Sequence, residues 1–297
     1  MYEDVDYGNG VILKKYHCNN CGVDFSTSNS LRTDSCVFCY SKNIDWDDYK
    51  ETHNPLIVPF SLEMKDAIKI YKKKVFLNPL VPFSLKKKQV IQSIRKVYVP
   101  AFLADINFNG KVSFLGGDKN KVLQNKEKLI ETKKFNVSFL KNIDYINVEL
   151  NVFAKIDDKV FSTVCTYDYS ILLNFDLGLV NDCHYLLSDI AIDEIADKGR
   201  DRANQHSLKI IRDSVNHSLK KLNQNEATIK FENTKEILLP VYILNVKYKD
   251  KTYMYIMNGQ NGKSTMDLVI GKKEVIVFSM IVFAFVFLLA YLVARFL

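Results

Sequence analysis

The sequence has 297 residues, which is enough for one or two domains with small attachments. Its 25% charged and 47% hydrophobic residues exclude an intrinsically disordered chain. The net charge of +7 is compatible with a nucleic-acid or anionic-lipid partner. Only six of the 41 basic residues are arginine, however, and arginine is the residue favoured for bidentate phosphate and base contacts.

Two CxxC pairs lie near the N-terminus, and they predict a metal site formed by Cys18, Cys21, Cys36 and Cys39. The first ten residues are acidic and contain no apolar run, so we expect no secretory signal and a reducing compartment. Gly22 follows the first pair and can adopt the positive φ that such a turn requires. Four thiolates form a closed tetrahedral site, which is typical of structural Zn²⁺ and leaves no position open for catalysis.

This zinc ribbon is predicted to span residues 1–45. A ribbon of this size buries little apolar surface, so metal binding and folding should be coupled. His17 could replace a cysteine ligand, but two complete pairs make that unnecessary. Two roles stay open: a docking surface for protein or nucleic acid, or a structural cap on the next domain.

An acidic segment around Trp46 predicts a linker over residues 46–57. Two similar stretches follow, 58–62 and 81–85, each reading Val-Pro-Phe-Ser-Leu. In each, proline and phenylalanine end an extended piece and serine is a natural helix N-cap. We therefore expect two helices, with apolar stripes formed by Met64, Ala67, Ile68, Tyr71 and Val75 and by Ile91, Ile94 and Val97. The lysine triplets at 72–74 and 86–88 are either solvated faces or a basic surface.

From Val97 onward the pattern favours strands. Hairpins are predicted around Asn109-Gly110, around Asp157-Asp158-Lys159 and around Lys249-Asp250-Lys251. A helix is predicted over 189–222, with its apolar stripe formed by Leu208, Ile211, Val215, Leu219 and Leu222. The sequence therefore predicts an α+β cytoplasmic domain over residues 58–268, built from antiparallel hairpins and helices.

No catalytic or cofactor-binding residue can be nominated from the sequence. The stretch from Gly259 to Ser264 lacks the first glycine of a phosphate-binding loop, because position 257 is methionine. The histidines are scattered (His17, His53, His184, His206 and His217). Cys183 and His184 are adjacent in sequence, whereas a nucleophilic pair requires adjacency in space.

Residues 275–294 contain no charge and are long enough to cross the roughly 30 Å hydrocarbon core as a helix. Lys263, Lys272 and Lys273 precede this span and Arg295 follows it. The excess of positive charge on the N-terminal side predicts that this side faces the cytoplasm. We thus expect a single-pass, tail-anchored protein of the cell membrane.

The chain resembles a bacterial family of uncharacterised membrane proteins with a TFIIB-type zinc ribbon, often mislabelled as replication-restart primosomal helicases. The resemblance runs through most of the chain: the four cysteines, the Val58-Pro-Phe-Ser helix entry, 97–102, 239–242, 255–263 and the terminal apolar helix. It implies zinc and membrane attachment but no particular reaction. The family's Pro-Tyr-Asp segment is here Thr166-Tyr167-Asp168, and the stretch after Phe175 matches poorly. A helicase is excluded by the absence of a phosphate-binding loop.

Three functions are compatible with the sequence. The first is a membrane-tethered interaction protein that recruits a cytoplasmic protein partner. The second is a membrane-bound nucleic-acid binder that uses the ribbon and the lysine triplets, with binding that weakens steeply with salt. The third is an enzyme whose site lies in the α+β domain. No small-molecule ligand can be assigned.

Overall fold

Helices and strands are mixed along the chain, which confirms the predicted α+β class. The structure is a computed structural model, and it describes residues 11–28, 31–51, 55–86, 91–124, 127–190, 192–215, 219–249, 251–265 and 269–296. His53, His217, Asp250 and two lysines of the second triplet, Lys87 and Lys88, lie outside the described residues.

The elements follow one another in this order. The strands are β1 Val11–Cys18, β2 Asp24–Ser28, β3 Ile44–Glu51, β4 Leu56–Ile57, β5 Ile91–Gln124, β6 Glu127–Asn151, β7 Leu173–Asn174, β8 His184–Leu186, β9 Leu219–Asn225, β10 Thr228–Tyr248, β11 Lys251–Asn258 and β12 Ser264–Thr265. The helices are α1 Met64–Leu77, α2 Asp158–Val164, α3 Leu177–Val180, α4 Ile192–Asp213 and α5 Lys272–Phe296. Short 3-10 turns cover Phe83–Lys86 and Tyr169–Ile171.

The chain forms two compact units. The first comprises Met1–Pro100, Lys155–Leu187 and Leu238–Leu297, and the second comprises Ala101–Ala154 and Ser188–Ile237. Strands β5 and β10 each contribute residues to both units.

The first unit contains a sheet with the strand order β12-β11-β10-β5-β8-β2-β1-β3. Every residue of β10 from Ile237 to Val246 is buried, because this nearly continuous apolar run is covered on both faces. The hairpin of β10 and β11 is confirmed, with Tyr248 paired to Lys251 and Lys249 in the left-handed region at φ 56°.

Helix α1 packs on this sheet through the predicted stripe. Ala67, Tyr71 and Val75 are buried in one cluster with Tyr242 and Leu244 of β10. The residue that caps the helix is Glu63, without a side-chain hydrogen bond to the first turn, so the predicted serine cap did not form.

The second unit is a small antiparallel sheet covered by α4. Strand β5 pairs with β6 on one side and with β9 on the other. Two buried clusters join α4 to this sheet. Ile195 and Ala203 pack with Ala104 and Ile106, and further along the helix Ile211 packs with Phe108. Helix α4 runs from Ile192 to Asp213, so the observed helix is shorter than the predicted segment 189–222.

The predicted turn at Asn109-Gly110 is wrong. Strand β5 continues through it, and Asn109 and Gly110 pair with Asn142 and Lys141 of β6. Gly110 has φ 154°, and a Cβ there would overlap the backbone of Ala227. Glycine is therefore required at this position because another segment of the backbone approaches closely, which is one of the usual reasons for a glycine within a strand.

Three other local predictions also differ from the structure. Asp157 is the N-cap of α2, since its carboxylate accepts a hydrogen bond from the amide of Lys159, so no hairpin forms there. The second predicted helix is only the turn at Phe83–Lys86, and Ile91 already belongs to β5. Residues 46–51, in the predicted linker, continue β3 and pair with β1.

Candidate metal centre

The four cysteines of the two CxxC pairs converge in the first unit. Their Sγ atoms all lie within 4.8 Å of one another. Cys18 ends β1, and Cys21 lies in the turn that leads from β1 to β2. Cys36 and Cys39 lie in a second turn, before β3. Strands β1 and β3 pair along their length, with Cys18 opposite Ile44, which brings the two turns together.

The first turn closes through backbone hydrogen bonds around Cys18. The Cys18 amide donates to the Val23 carbonyl at 3.1 Å, and the Gly22 amide donates to the Cys18 carbonyl at 2.7 Å. Gly22 has φ 68°, as the sequence predicts, a conformation that a glycine adopts without steric cost.

The second turn repeats this geometry without a glycine. The Tyr40 amide donates to the Cys36 carbonyl at 3.1 Å, and the Cys36 amide donates to the Ser41 carbonyl at 2.8 Å. Tyr40 occupies the position equivalent to Gly22 and has φ 63°. A bulky residue in this region costs on the order of 1 kcal/mol, which the surrounding contacts must offset.

Two of the sulfur–sulfur distances are close to those around a tetrahedral metal ion. The Sγ atoms of Cys18 and Cys39 are 3.6 Å apart, and those of Cys21 and Cys36 are 3.7 Å apart. A tetrahedral ion with metal–sulfur bonds of about 2.3 Å places its sulfurs about 3.8 Å apart. Both short distances join one turn to the other, and all four cysteines are free of disulfide bonds. The cluster could therefore hold a metal ion that cross-links the two turns.

Two N–H groups point at the sulfurs. The amide of Phe38 lies 3.3 Å from Cys36 Sγ, and the Asn20 side-chain amide lies 3.5 Å from Cys39 Sγ. Such donors stabilise thiolate charge and fix the orientation of metal ligands. Asn20 is not among the predicted ligands, and its position between Cys18 and Cys21 is the one signal in the sequence for this role.

Burial governs the protonation of the thiols. It raises the pKa of Cys21 to about 11 and raises the pKa of Cys36 further. At Cys39 burial also acts to raise the pKa, but hydrogen bonds from Asn20 and the Ser41 amide outweigh it and the pKa is lowered. A bound metal ion must displace the remaining protons, so metal affinity should fall as the pH falls.

His17 does not join the cluster. Its side chain is exposed, and its Nδ1 lies 2.6 Å from a carboxylate oxygen of Asp24. Among the residues that the structure describes, the grouping within ligand distance consists of the four cysteines.

The thiol cluster is attached to the rest of the first unit at two places. Strand β2 pairs with β8 through Phe25, Ser26 and Thr27, so the ribbon strands belong to the same sheet as β5 and β10. Arg95 of β5 donates hydrogen bonds to the carbonyl and hydroxyl oxygens of Ser35, next to Cys36. Its guanidinium also lies 5.6 Å from the centre of the ring of Tyr40, the residue of the second turn that has a positive φ.

Cys183 and His184 do not form a nucleophilic pair. Cys183 directly precedes β8 and packs with Ile57 and Tyr98, whereas the ring of His184, the first residue of β8, lies 6.3 Å from that of Phe25. Burial raises the pKa of Cys183 and lowers that of His184 to about 4.

Helix α5 is long and apolar enough to cross a membrane. The most apolar 18-residue window within Lys272–Arg295 has a mean hydropathy of 2.9, and none of that window is buried within the protein. Its first turn contacts the segment after α1. The Gly271 amide donates to the Leu80 carbonyl at 3.0 Å, and the Phe83 amide donates to a carboxylate oxygen of Glu274 at 3.3 Å.

Comparison with known proteins identifies one distant similarity. The chain is 22% identical over 223 residues to the "Uncharacterized protein YdjG" of Bacillus subtilis, which covers 74% of this chain. The matched region spans 63% of the length of that relative. No family model matches the chain, and no solved structure matches it.

Proposed function

We propose that this protein is a membrane-anchored zinc protein whose ribbon recruits a protein partner on the cytoplasmic side of the cell membrane. The observation that carries the proposal is the four-cysteine cluster, built into the same unit as a helix that could cross a membrane. The resemblance to the TFIIB-type zinc ribbon membrane proteins agrees with it.

Zinc is the ion that suits the cluster best. Four thiolates in a tetrahedral arrangement are typical of structural zinc, and the sulfur separations of 3.6 and 3.7 Å agree with its bond length. A closed set of four protein ligands leaves no place for a substrate, so the ion holds the fold of the two turns. The bonds from Arg95 to Ser35 support the same structural role.

The charge distribution supports the cytoplasmic orientation. Lys263, Lys272 and Lys273 are exposed on the N-terminal side of the span, against Arg295 on the other side. Positive charge close to a span is retained in the cytoplasm. A reducing cytoplasm would also keep the four thiols free for metal.

The outer face of the ribbon supports a protein partner. Strand β3 lies at the end of the sheet path, and Trp46 on it is 59% exposed. Asp45, Asp47 and Asp48, its neighbours in sequence, are exposed, and Lys14 Nζ lies 4.2 Å from the centre of the indole ring. Exposed tryptophan is enriched in protein interfaces, whereas clustered carboxylates repel phosphates. We therefore favour a partner with a basic surface over a nucleic acid.

The test is affinity purification of the detergent-solubilised full-length protein, with and without nuclease. Three variants are compared with the wild type: Cys18→Ser with Cys21→Ser, Trp46→Ala, and Leu140→Ala as an exposed apolar control on β6. We expect one protein partner that survives nuclease, is lost from the first two variants and is retained by the third. Recovery of nucleic acid that nuclease abolishes would instead establish the nucleic-acid function.

The orientation is tested separately, in intact spheroplasts treated with external protease. We expect the ribbon to be protected until the membrane is permeabilised. Cleavage within the ribbon in intact spheroplasts would place the N-terminal side outside and overturn the cytoplasmic assignment.

A further inference from the structure

Three large apolar side chains lie exposed beside the first turn of α5. Phe76 is 72% exposed, Leu77 is 65% exposed and Phe83 is 72% exposed. Phe76 and Leu77 end α1, and Phe83 begins the 3-10 turn that follows it. Single exposed apolar residues are ordinary on a protein surface, but three large ones within eight positions form a patch that favours an apolar partner.

This segment is held at the level where the span enters the membrane. The Phe83 amide binds Glu274, the last charged residue before the apolar stretch, and the Gly271 amide binds Leu80. Pro79 lines a groove together with Glu274, Val277, Phe278 and Ile281. Ile281 is two helical turns beyond Glu274, about 10 Å along the helix axis. The segment 76–83 therefore reaches the depth at which the apolar part of α5 begins.

Positive charges surround the same patch. Lys72 and Lys73 are exposed and lie one turn before Phe76 and Leu77, on the face of α1 opposite the buried Ala67, Tyr71 and Val75. Lys272 and Lys273 are exposed in the first turn of α5. A helix face that combines lysine with phenylalanine and leucine is typical of segments that lie in the headgroup layer of a bilayer.

We propose that Phe76, Leu77 and Phe83 form a juxtamembrane contact that inserts into the bilayer surface next to the span, with the surrounding lysines on anionic headgroups. The inference rests on the proposed membrane anchor and goes beyond it, because it gives the protein a second contact with the bilayer in addition to the span. The occupant is the bilayer, since Leu77 lines one groove together with Phe278 of α5, which joins the patch to the apolar surface of that helix, and the surrounding lysines complement anionic lipid.

The experiment measures tryptophan fluorescence in nanodiscs whose lipids carry quenchers both near the headgroup end and near the middle of the acyl chains, because position 283 lies close to the middle of the span. Trp46 is the one tryptophan of the chain. It is replaced by phenylalanine, and a reporter is introduced by Phe83→Trp in the patch or by Phe283→Trp within the span. Phe83 is 72% exposed and Phe283 is 73% exposed, so neither exchange disturbs a packed core. The unmodified protein, with only Trp46, serves as the reference for a surface distant from lipid.

We expect both reporters to be quenched strongly and Trp46 weakly. Adding phosphatidylglycerol should increase quenching at position 83, and Lys72→Ser with Lys73→Ser should remove that increase. If the reporter at 283 is quenched but the reporter at 83 is quenched no more than Trp46, the juxtamembrane contact is wrong and the membrane anchor is still supported. Absence of quenching at 283 would overturn the anchor and, with it, this contact.

A second measurement tests whether lipid or a second copy of the chain covers the patch. Accessibility of the position-83 reporter to an aqueous quencher is measured in detergent over a range of protein concentrations. We expect no dependence on concentration. Protection that grows with concentration would show that another copy covers the patch and would overturn the bilayer as its occupant.

Discussion

Arg95 and Ser35 are joined by two hydrogen bonds, one to the Ser35 carbonyl oxygen at 2.8 Å and one to its hydroxyl at 2.6 Å. The two residues come from β5 and from the turn that carries Cys36 and Cys39. The pair therefore connects the thiol cluster to the sheet independently of the pairing between β2 and β8. It also places the guanidinium beside Tyr40, whose positive φ the second turn requires.

We predict that Arg95→Ala lowers the free energy of unfolding by about 2 kcal/mol, because two charge-assisted hydrogen bonds are lost. The second turn should loosen, so a chelator should remove zinc faster from the variant. Chemical unfolding and a chelator competition assay in detergent measure the two effects. Arg32→Ala is the control, since Arg32 is exposed in the same loop. Equal behaviour of the two variants would contradict a connecting role for Arg95.

Replacing Cys18 and Cys21 by serine should release one zinc ion per chain and loosen the N-terminal 40 or so residues, because the proposed zinc ion would cross-link the two turns. Metal analysis and hydrogen exchange of the purified protein measure the loss. Cys165→Ser removes another buried thiol that does not belong to the cluster, and this variant should keep its metal. A double variant that retained the full zinc content would rule out the predicted ligand set.

His184 should make stability depend on pH. It is buried, its Nδ1 faces the Lys96 carbonyl at 3.4 Å, and its Nε2 has no hydrogen-bond partner among the described residues. Burial, followed by the nearby charge of Arg95, lowers its pKa from 6.5 to about 4. The unfolded chain therefore takes up a proton between these two values while the folded protein does not, so stability falls as the pH falls through this window.

The full effect of such a shift is about 3 kcal/mol, present above pH 6.5 and lost by pH 4. His184→Phe keeps a ring beside Phe25 and removes the titration. Urea unfolding in detergent should show a smaller loss between neutral and acidic pH for this variant than for the wild type. Parallel losses in both proteins would assign the acid sensitivity to other groups.

Removing residues 275–297 should transfer the protein from the membrane fraction to the soluble fraction, because the one helix in the described chain that is long and apolar enough to span a membrane loses its apolar stretch. Cell fractionation and immunoblotting measure the distribution. As a matched control, residues 275–294 are replaced by a leucine–alanine segment of equal length, which should restore the membrane location. A truncated protein that stays in the membrane would contradict the anchor.

The features that could be predicted from the sequence are those that depend on a few residues close to one another in the sequence. The four cysteines and the positive φ of Gly22 follow from local chemistry, and the apolar length of α5 needs no tertiary context. The hairpin of β10 and β11 was predicted for the same reason, since both strands and their turn are contiguous.

Long-range contacts account for the errors. Asn109-Gly110 is a strong local turn signal, but β5 gains a continuous ladder with β6 by passing straight through it, and Gly110 accommodates the backbone near Ala227. The roles of Arg95 and of Tyr40 were not foreseen. The role of Arg95 depends on Ser35, which is 60 residues away in sequence. Tyr40 is a bulky residue at a position of positive φ, where glycine is expected.

The pairing of β2 with β8 has a consequence for synthesis on the ribosome. Ser28 at the end of β2 donates a hydrogen bond to the Asn181 carbonyl, 153 residues later. The zinc ion proposed for the ribbon could therefore bind early in translation, whereas the edge of β2 stays unpaired until β8 has been synthesised. An unpaired strand edge on a nascent chain is a site of aggregation. Cells starved of zinc should thus accumulate this protein as aggregates formed during translation, rather than as a folded apoprotein.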